Sequence, residues 1–292
     1  MAKGTYIGVG GKACKVKNLY IGVDGKARKV KKAYVGVGGV ARPFFGAGKL
    51  AYYGAITNLS YSRKNLAAAT VGNYALFAGG FGGAAGSTSS NVVDAYDRAL
   101  TRSTPTTLQS SRGKLSGTTV KNYALFAGGG AASSSSKYNY VDAYNTSLTR
   151  TTATELSISR YYATAVTIGN YALIAGGTTS SSSSSTLNSV ETYNTSLTRG
   201  TATALSVARS NLSSATVGDY ALIAGGDINS SNDYMSKEVD SYDASLTHTN
   251  PTALTVGRAL MGAATIGDYA LFAGGLGDDS SCENTVEAYT LV

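Results

Sequence analysis

The sequence predicts an all-β fold: five four-stranded sheets repeated around a common axis, preceded by a small arm of β-hairpins. Three observations carry that expectation. A seven-residue motif recurs five times at a nearly constant step. The body is rich in Thr, Tyr, Val and Ile, which suit strands, and no window keeps a helical period. The basic residues crowd into the first 49 positions, in a second and shorter repeat.

The long repeat is Tyr-Ala-Leu-(Phe/Ile)-Ala-Gly-Gly. Its tyrosines are Tyr74, Tyr123, Tyr171, Tyr220 and Tyr269, spaced 49, 48, 49 and 49 residues apart. Arg63, Arg112, Arg160, Arg209 and Arg258 keep the same step, as do Leu59, Leu108, Leu156, Leu205 and Leu254. So do the acids Asp94, Asp142, Glu191, Asp240 and Glu287, each two residues before a tyrosine. A period near 49 with strand composition marks a repeat architecture.

Each unit divides into four short strands. Strand A is a run of small residues such as Leu66–Val71 or Tyr162–Ile168, followed by a two-residue turn. Strand B is the Tyr-Ala-Leu run, stopped by Gly-Gly. A polar loop of about a dozen residues leads to strand C, which carries the acid and its tyrosine. Strand D holds Ser-Leu-Thr-Arg and the threonines after it. One such unit cannot bury both its faces, and radial repetition into a β-propeller solves that. Small residues in strand A, such as Ala67–Thr70 and Ser116–Thr119, suit the crowded axis. The last unit shows strands A to C, and Ala51–Arg63 aligns with Leu148–Arg160. Residues 51–57 are therefore expected to supply the outer strand of the fifth blade and to close a five-bladed ring.

Residues 50–292 resemble the kelch-repeat family. The shared features are the Gly-Gly after a hydrophobic strand, the Tyr about 16 residues later and the Arg before the next strand A. Kelch units usually carry a Trp after that Tyr; here Leu100, Leu148, Leu197 and Leu246 lie four residues after it, so the match is to a variant.

The arm reads differently. Tyr6, Tyr20 and Tyr34 stand 14 residues apart, each opening Tyr-(Ile/Val)-Gly-Val-(Gly/Asp)-Gly. Gly10-Gly11, Asp24-Gly25 and Gly38-Gly39 are hairpin turn signals, so three hairpins are expected. Residues 1–49 hold eleven basic side chains against one acid, whereas the remainder holds 14 basic and 16 acidic residues. The whole-chain charge of +8 is thus a basic arm on a nearly neutral body. The arm is too poor in large apolar groups to form a core alone. A docking arm of residues 1–48 and a propeller of residues 49–292 follow, with Tyr6, Tyr20, Tyr34, Lys15, Arg28 and Arg42 as docking residues. The tandem motif resembles segments of tail and baseplate-associated proteins of phages and prophages of Gram-positive bacteria.

Composition excludes several chemistries. One histidine, His248, disfavours a His-based zinc site or a triad. Cys14 and Cys282, at opposite ends, make no disulfide framework. No apolar run is long enough for a membrane helix. No cofactor, metal, catalytic residue, nucleic acid or membrane insertion is expected.

Binding is expected on the end of the ring where the B–C loops and D–A linkers meet. The B–C loops, 81–93, 130–141, 178–190, 227–239 and 276–286, are long and varied. Their Tyr138, Tyr140, Asn229, Asp233, Tyr234 and Asp278 offer flat faces and hydrogen bonds suited to sugars. The arginines 63, 112, 160, 209 and 258 would ring the opening at that end. They have two readings: donors to an anionic ligand, or scaffold partners of the five repeat acids.

The two resemblances imply a non-enzymatic appendage of a phage or phage-tail-like particle, of the tail-fibre, baseplate or receptor-binding type. Its arm would dock on other tail, baseplate or virion proteins. Its propeller would bind a host surface glycan or protein. A homo-oligomer, such as a trimer, is expected on the virion. A structural decoration or assembly protein, and a carbohydrate-active kelch enzyme, are the competing readings.

Overall fold

A computed structural model describes the six strands of the arm and residues 53–132, 136–180, 185–228 and 234–291. The chain divides into two compact units, Met1–Ala55 and Ile56–Val292. In the first, Tyr6–Val9 pairs with Lys12–Lys15, Tyr20–Val23 with Lys26–Lys29, and Ala33–Val37 with Val40–Phe45, all antiparallel. The innermost partners are Val9 with Lys12, Val23 with Lys26 and Val37 with Val40. These are the three hairpins the 14-residue rhythm calls for; their turn dipeptides lie outside the described residues. Tyr6 stands opposite Lys15, Arg28 opposite Ile21 and Arg42 opposite Val35.

The second unit is a series of antiparallel sheets. The first contains Ala67–Val71, Tyr74–Ala78, Val93–Tyr96 and Arg102–Ser103 as strands A, B, C and D. The second to fourth sheets repeat this order, with strands A at Ser116–Val120, Thr164–Ile168 and Ser213–Val217. Their strands D are Arg150–Thr152, Arg199–Ala202 and His248–Thr249. The fifth sheet has three strands, Gly262–Ile266, Tyr269–Ala273 and Val286–Thr290.

Neighbouring sheets bury one apolar layer between them. Between the first and second, Val71, Leu76, Val93 and Ala95 meet Leu108, Leu115, Ala124, Phe126 and Tyr144. The same positions recur between the later sheets, ending with Val217, Leu222 and Val239 against Leu254, Met261, Ala270 and Phe272. The strand A threonines stitch the inner edge: Thr265 donates to the Thr216 carbonyl at 2.6 Å, and Thr118 and Thr167 share a hydrogen bond of 2.8 Å.

The Gly-Gly pair explains itself at these junctions. The N–H groups of Gly80, Gly129, Gly177 and Gly226 donate to the carbonyls of Arg112, Arg160, Arg209 and Arg258 of the next sheet, at 2.8–2.9 Å. At Gly79 and Gly176, φ is +67° and +65°, and a Cβ would overlap that same arginine carbonyl. No other residue combines this backbone with this approach.

Among the described residues the expected closing strand is not formed; residues 51 and 52 lie outside them. Residues 53–57 belong to no strand. Thr57 and Ser60 instead serve the first sheet, whose Tyr96 hydroxyl donates to the Thr57 carbonyl at 2.8 Å while Ser60 N–H donates to Asp94 at 3.1 Å. Thr106 and Gln109 do the same for Tyr144 and Asp142 of the second sheet. Residues 57–60 thus belong to the linker into strand A of their own sheet. The outer face of the fifth sheet remains open: Ile266 is 63% and Val286 61% exposed, against 3% and 0% for Val217 and Val239.

The strand C tyrosines anchor each linker, and their contribution depends on burial. Tyr193→Phe deletes a 2.7 Å bond to the Thr154 carbonyl and is expected to cost about 1 kcal/mol. Tyr289→Phe deletes the same kind of bond, to the Thr252 carbonyl, here exposed to solvent, and should cost less. Urea denaturation of the two variants side by side checks the difference.

Candidate functional site

The five repeat arginines turn inward, not to the opening. Arg112, Arg160, Arg209 and Arg258 are fully buried, and the Arg63 side chain is 0% exposed. Each meets the acid of its own sheet: Arg63 with Asp94 at 2.8 Å, Arg112 with Asp142 and Arg160 with Glu191 at 2.7 Å, Arg209 with Asp240, and Arg258 with Glu287. Other guanidinium protons reach carbonyls of strand B and of the B–C loop, as from Arg112 to Gly128 and Phe126, and from Arg160 to Gly176 and Ser189, while the Nε of Arg63, Arg209 and Arg258 is buried without a partner. Burial pulls Arg209 below the ordinary arginine range, and Asp240 opposes that pull. Of the two readings of these arginines, the geometry supplies the pairing with the acids. It leaves no arginine face for a ligand.

A second basic side chain from strand D backs each acid in the first four sheets: Arg102, Arg150 and Arg199 at 3.8, 3.2 and 3.6 Å, and His248 Nε2 on Asp240 at 2.7 Å. His248 therefore occupies the place of an arginine. Four of the five carboxylates are held from both sides, which fixes the linkers that pass over them.

Those linkers form the mouth. Just after each arginine, the linker bridges the start of the B–C loop: Tyr161 pairs with Thr178, Ser210 with Asp227 and Ala259 with Leu276. The next residue in every sheet is left-handed: Asn65, Lys114, Tyr162, Asn211 and Leu260, with φ of 53–57°. Their backbones hydrogen-bond in sequence, Lys114 to Asn65, Tyr162 to Lys114, Asn211 to Tyr162 and Leu260 to Asn211, at 2.9–3.2 Å. A backbone chain thus runs from sheet to sheet along the mouth and presents four different kinds of side chain.

Beside it lies a cavity of about 440 Å³ lined by Lys114, Tyr161, Tyr162, Thr178, Asn211 and Asp227, among others. The Lys114 ammonium sits 4.7 Å from the Tyr162 ring centre, 5.1 Å from Tyr161 and 5.9 Å from Phe81. Asp227 is 2% exposed and accepts a hydrogen bond from the Asn211 amide. Burial pushes its carboxyl above the ordinary range, and the Asn211 bond opposes that. An ammonium, a buried carboxyl, an amide and two phenol rings thus converge on one concave surface, the arrangement of a small-ligand site.

The loop residues singled out from sequence form separate neighbourhoods. Tyr138 and Tyr140 stack at 5.4 Å and line a groove with Lys137, Ile158 and Thr179. Asp278 accepts from the Met235 N–H and lines another hollow with Ile228 and Val256. Tyr234 is 64% exposed. Asn229 and Asp233 lie outside the described residues. Sequence reasoning did not single out Asn65, Lys114, Tyr161, Tyr162, Asn211 and Leu260. The signal was available: the repeat arginine is constant, and no two units share the same pair of residues after it.

An acid whose pKa is raised by folding contributes stability below its unfolded pKa, which is lost as pH rises through the folded value. Asp227→Asn removes that loss. The variant is expected to melt above the parent at about pH 7 and level with it at about pH 3, where the parent carboxyl is protonated. Thermal melts at the two pH values check it. Arg160→Met leaves the buried Glu191 without its main partner, and an expected cost of about 3–5 kcal/mol would show in urea denaturation.

No curated protein matches the chain. Residues 159–197, from the third sheet's linker to its C–D turn, match the family model of the Kelch motif. Together with the serial four-stranded antiparallel sheets, that match supports a kelch-like β-propeller.

Proposed function

We propose that this chain is a non-enzymatic recognition appendage of a phage or phage-tail-like particle. The basic hairpin arm attaches it to other particle proteins, and the mouth of the sheet series binds a host surface glycan. One observation carries the reading. A constant frame of buried arginine–acid pairs supports a mouth whose corresponding positions, Asn65, Lys114, Tyr162, Asn211 and Leu260, carry four different residue types. A rigid scaffold with a diversified rim is how recognition surfaces are built.

The chemistry of the rim favours sugar over peptide. Tyr161 and Tyr162 offer faces on which a pyranose ring stacks. Asn65, Thr178 and Asn211 offer hydroxyl-sized donors and acceptors, and Lys114 adds a charge for an acidic or phosphorylated sugar. The stacked Tyr138 and Tyr140 extend such a surface outward along the second B–C loop.

Purified wall polysaccharides and teichoic acids, titrated against the full-length protein by calorimetry, test the reading. Saturable binding is expected. Lys114→Ala and Tyr162→Ala should each weaken it by at least about tenfold, equivalent to about 1.4 kcal/mol. Both residues are half-buried, so melts of the variants accompany the titration to separate lost binding from lost fold. Absence of binding to every envelope fraction would rule the reading out.

A further inference from the structure

The fifth sheet differs from the other four in its outer edge. In the first four, strand C pairs with a strand D that places a basic residue opposite the strand C tyrosine: Tyr96 with Arg102, Tyr144 with Arg150, Tyr193 with Arg199 and Tyr242 with His248. In the fifth, strand C, Val286–Thr290, is the last strand of its sheet among the described residues. Its residues alternate between exposed and half-buried, whereas strands C of the second to fourth sheets are buried at four of their five positions. The acid shares this deficit. Glu287 keeps Arg258, but among the described residues no second basic side chain reaches it. Its side chain is 18% exposed, against 0–1% for the other four acids.

We propose that this open edge accepts an extended strand of a partner protein, with an arginine placed opposite Tyr289 and paired to Glu287. The recognition is β-augmentation: main-chain hydrogen bonds along Val286–Thr290 supply affinity, and the cation supplies register. The occupant's chemistry follows from four copies of the same pairing inside this chain. In three of them the basic residue is arginine, and it always follows Leu-Thr. The segment at Ala51–Thr57 does not meet the requirement. It contains no Lys, Arg or His, and Tyr53 stands six residues before Leu59, where Arg102, Arg150 and Arg199 stand six before Leu108, Leu156 and Leu205. Charge complementarity therefore points to a strand from another molecule. This inference does not rest on glycan binding at the mouth, which lies at the opposite end of strand A from its two-residue turn.

A fluorescent peptide copying Thr195–Thr203 of the chain is the probe, titrated against the full-length protein by anisotropy at low salt. Saturable binding is expected. A second peptide with alanine in place of the residue copied from Arg199 should bind at least about tenfold more weakly. The Glu287→Gln protein should bind both peptides alike. The comparison of the two peptides on the unaltered protein does not depend on how that variant folds. Equal binding of both peptides to the unaltered protein overturns the proposal. So does the absence of saturable binding, as would follow if residues 51–57 or a second copy already held the edge.

Discussion

The buried ion pair between each repeat arginine and the acid of its sheet is the constraint on which the rest of this unit depends. Its desolvation is costly, so the guanidinium must satisfy nearly all its donors inside the protein. It does so by gathering strand B carbonyls, the carboxylate and the B–C loop around one plane, as Arg160 shows with Gly176, Ser189 and Glu191. The backbone of the same arginine meets the Gly-Gly of the preceding sheet. One residue thus couples the inside of a sheet to its neighbour, and the path of every linker across the mouth is set by it.

This division of labour decides what could be seen in the sequence. Positions that serve the frame are the same in every unit, so their period announces them. Gly-Gly is constant because the next arginine carbonyl occupies the space of a Cβ, and the strand C tyrosine because its hydroxyl closes a linker. The leucines four residues after each of the first four strand C tyrosines fit this logic too. Leu148, Leu197 and Leu246 adopt left-handed backbone in the C–D turn and still pack against the inter-sheet layers. The strand count and the hairpins of the arm follow from such regularities.

Two features were not legible. The mouth residues vary from unit to unit, and variation alone does not distinguish a rim from a tolerant surface. Only the left-handed backbone at Asn65, Lys114, Tyr162, Asn211 and Leu260 shows that these residues line one opening. The fate of residues 51–57 was also hidden. Alignment of Leu59, Ser60 and Arg63 with later repeats correctly places the linker, whereas the described residues of the expected outer strand, 53–57, form none. Periodicity reports which residues are equivalent. It does not report whether the strand before them has the cation its partner needs.

The stepwise passage of hydrogen bonds from each Gly-Gly to the next arginine has a thermodynamic consequence. Each sheet exchanges these bonds with its immediate neighbours, so cohesion accrues junction by junction, as in a one-dimensional array. The fifth sheet, with one such junction and an uncovered face, has the least to lose by opening, and the inner sheets are clamped from both sides. Amide protons should therefore grade in their exchange with solvent from that end towards the middle. A break at a central junction would divide the array into two shorter cooperative units.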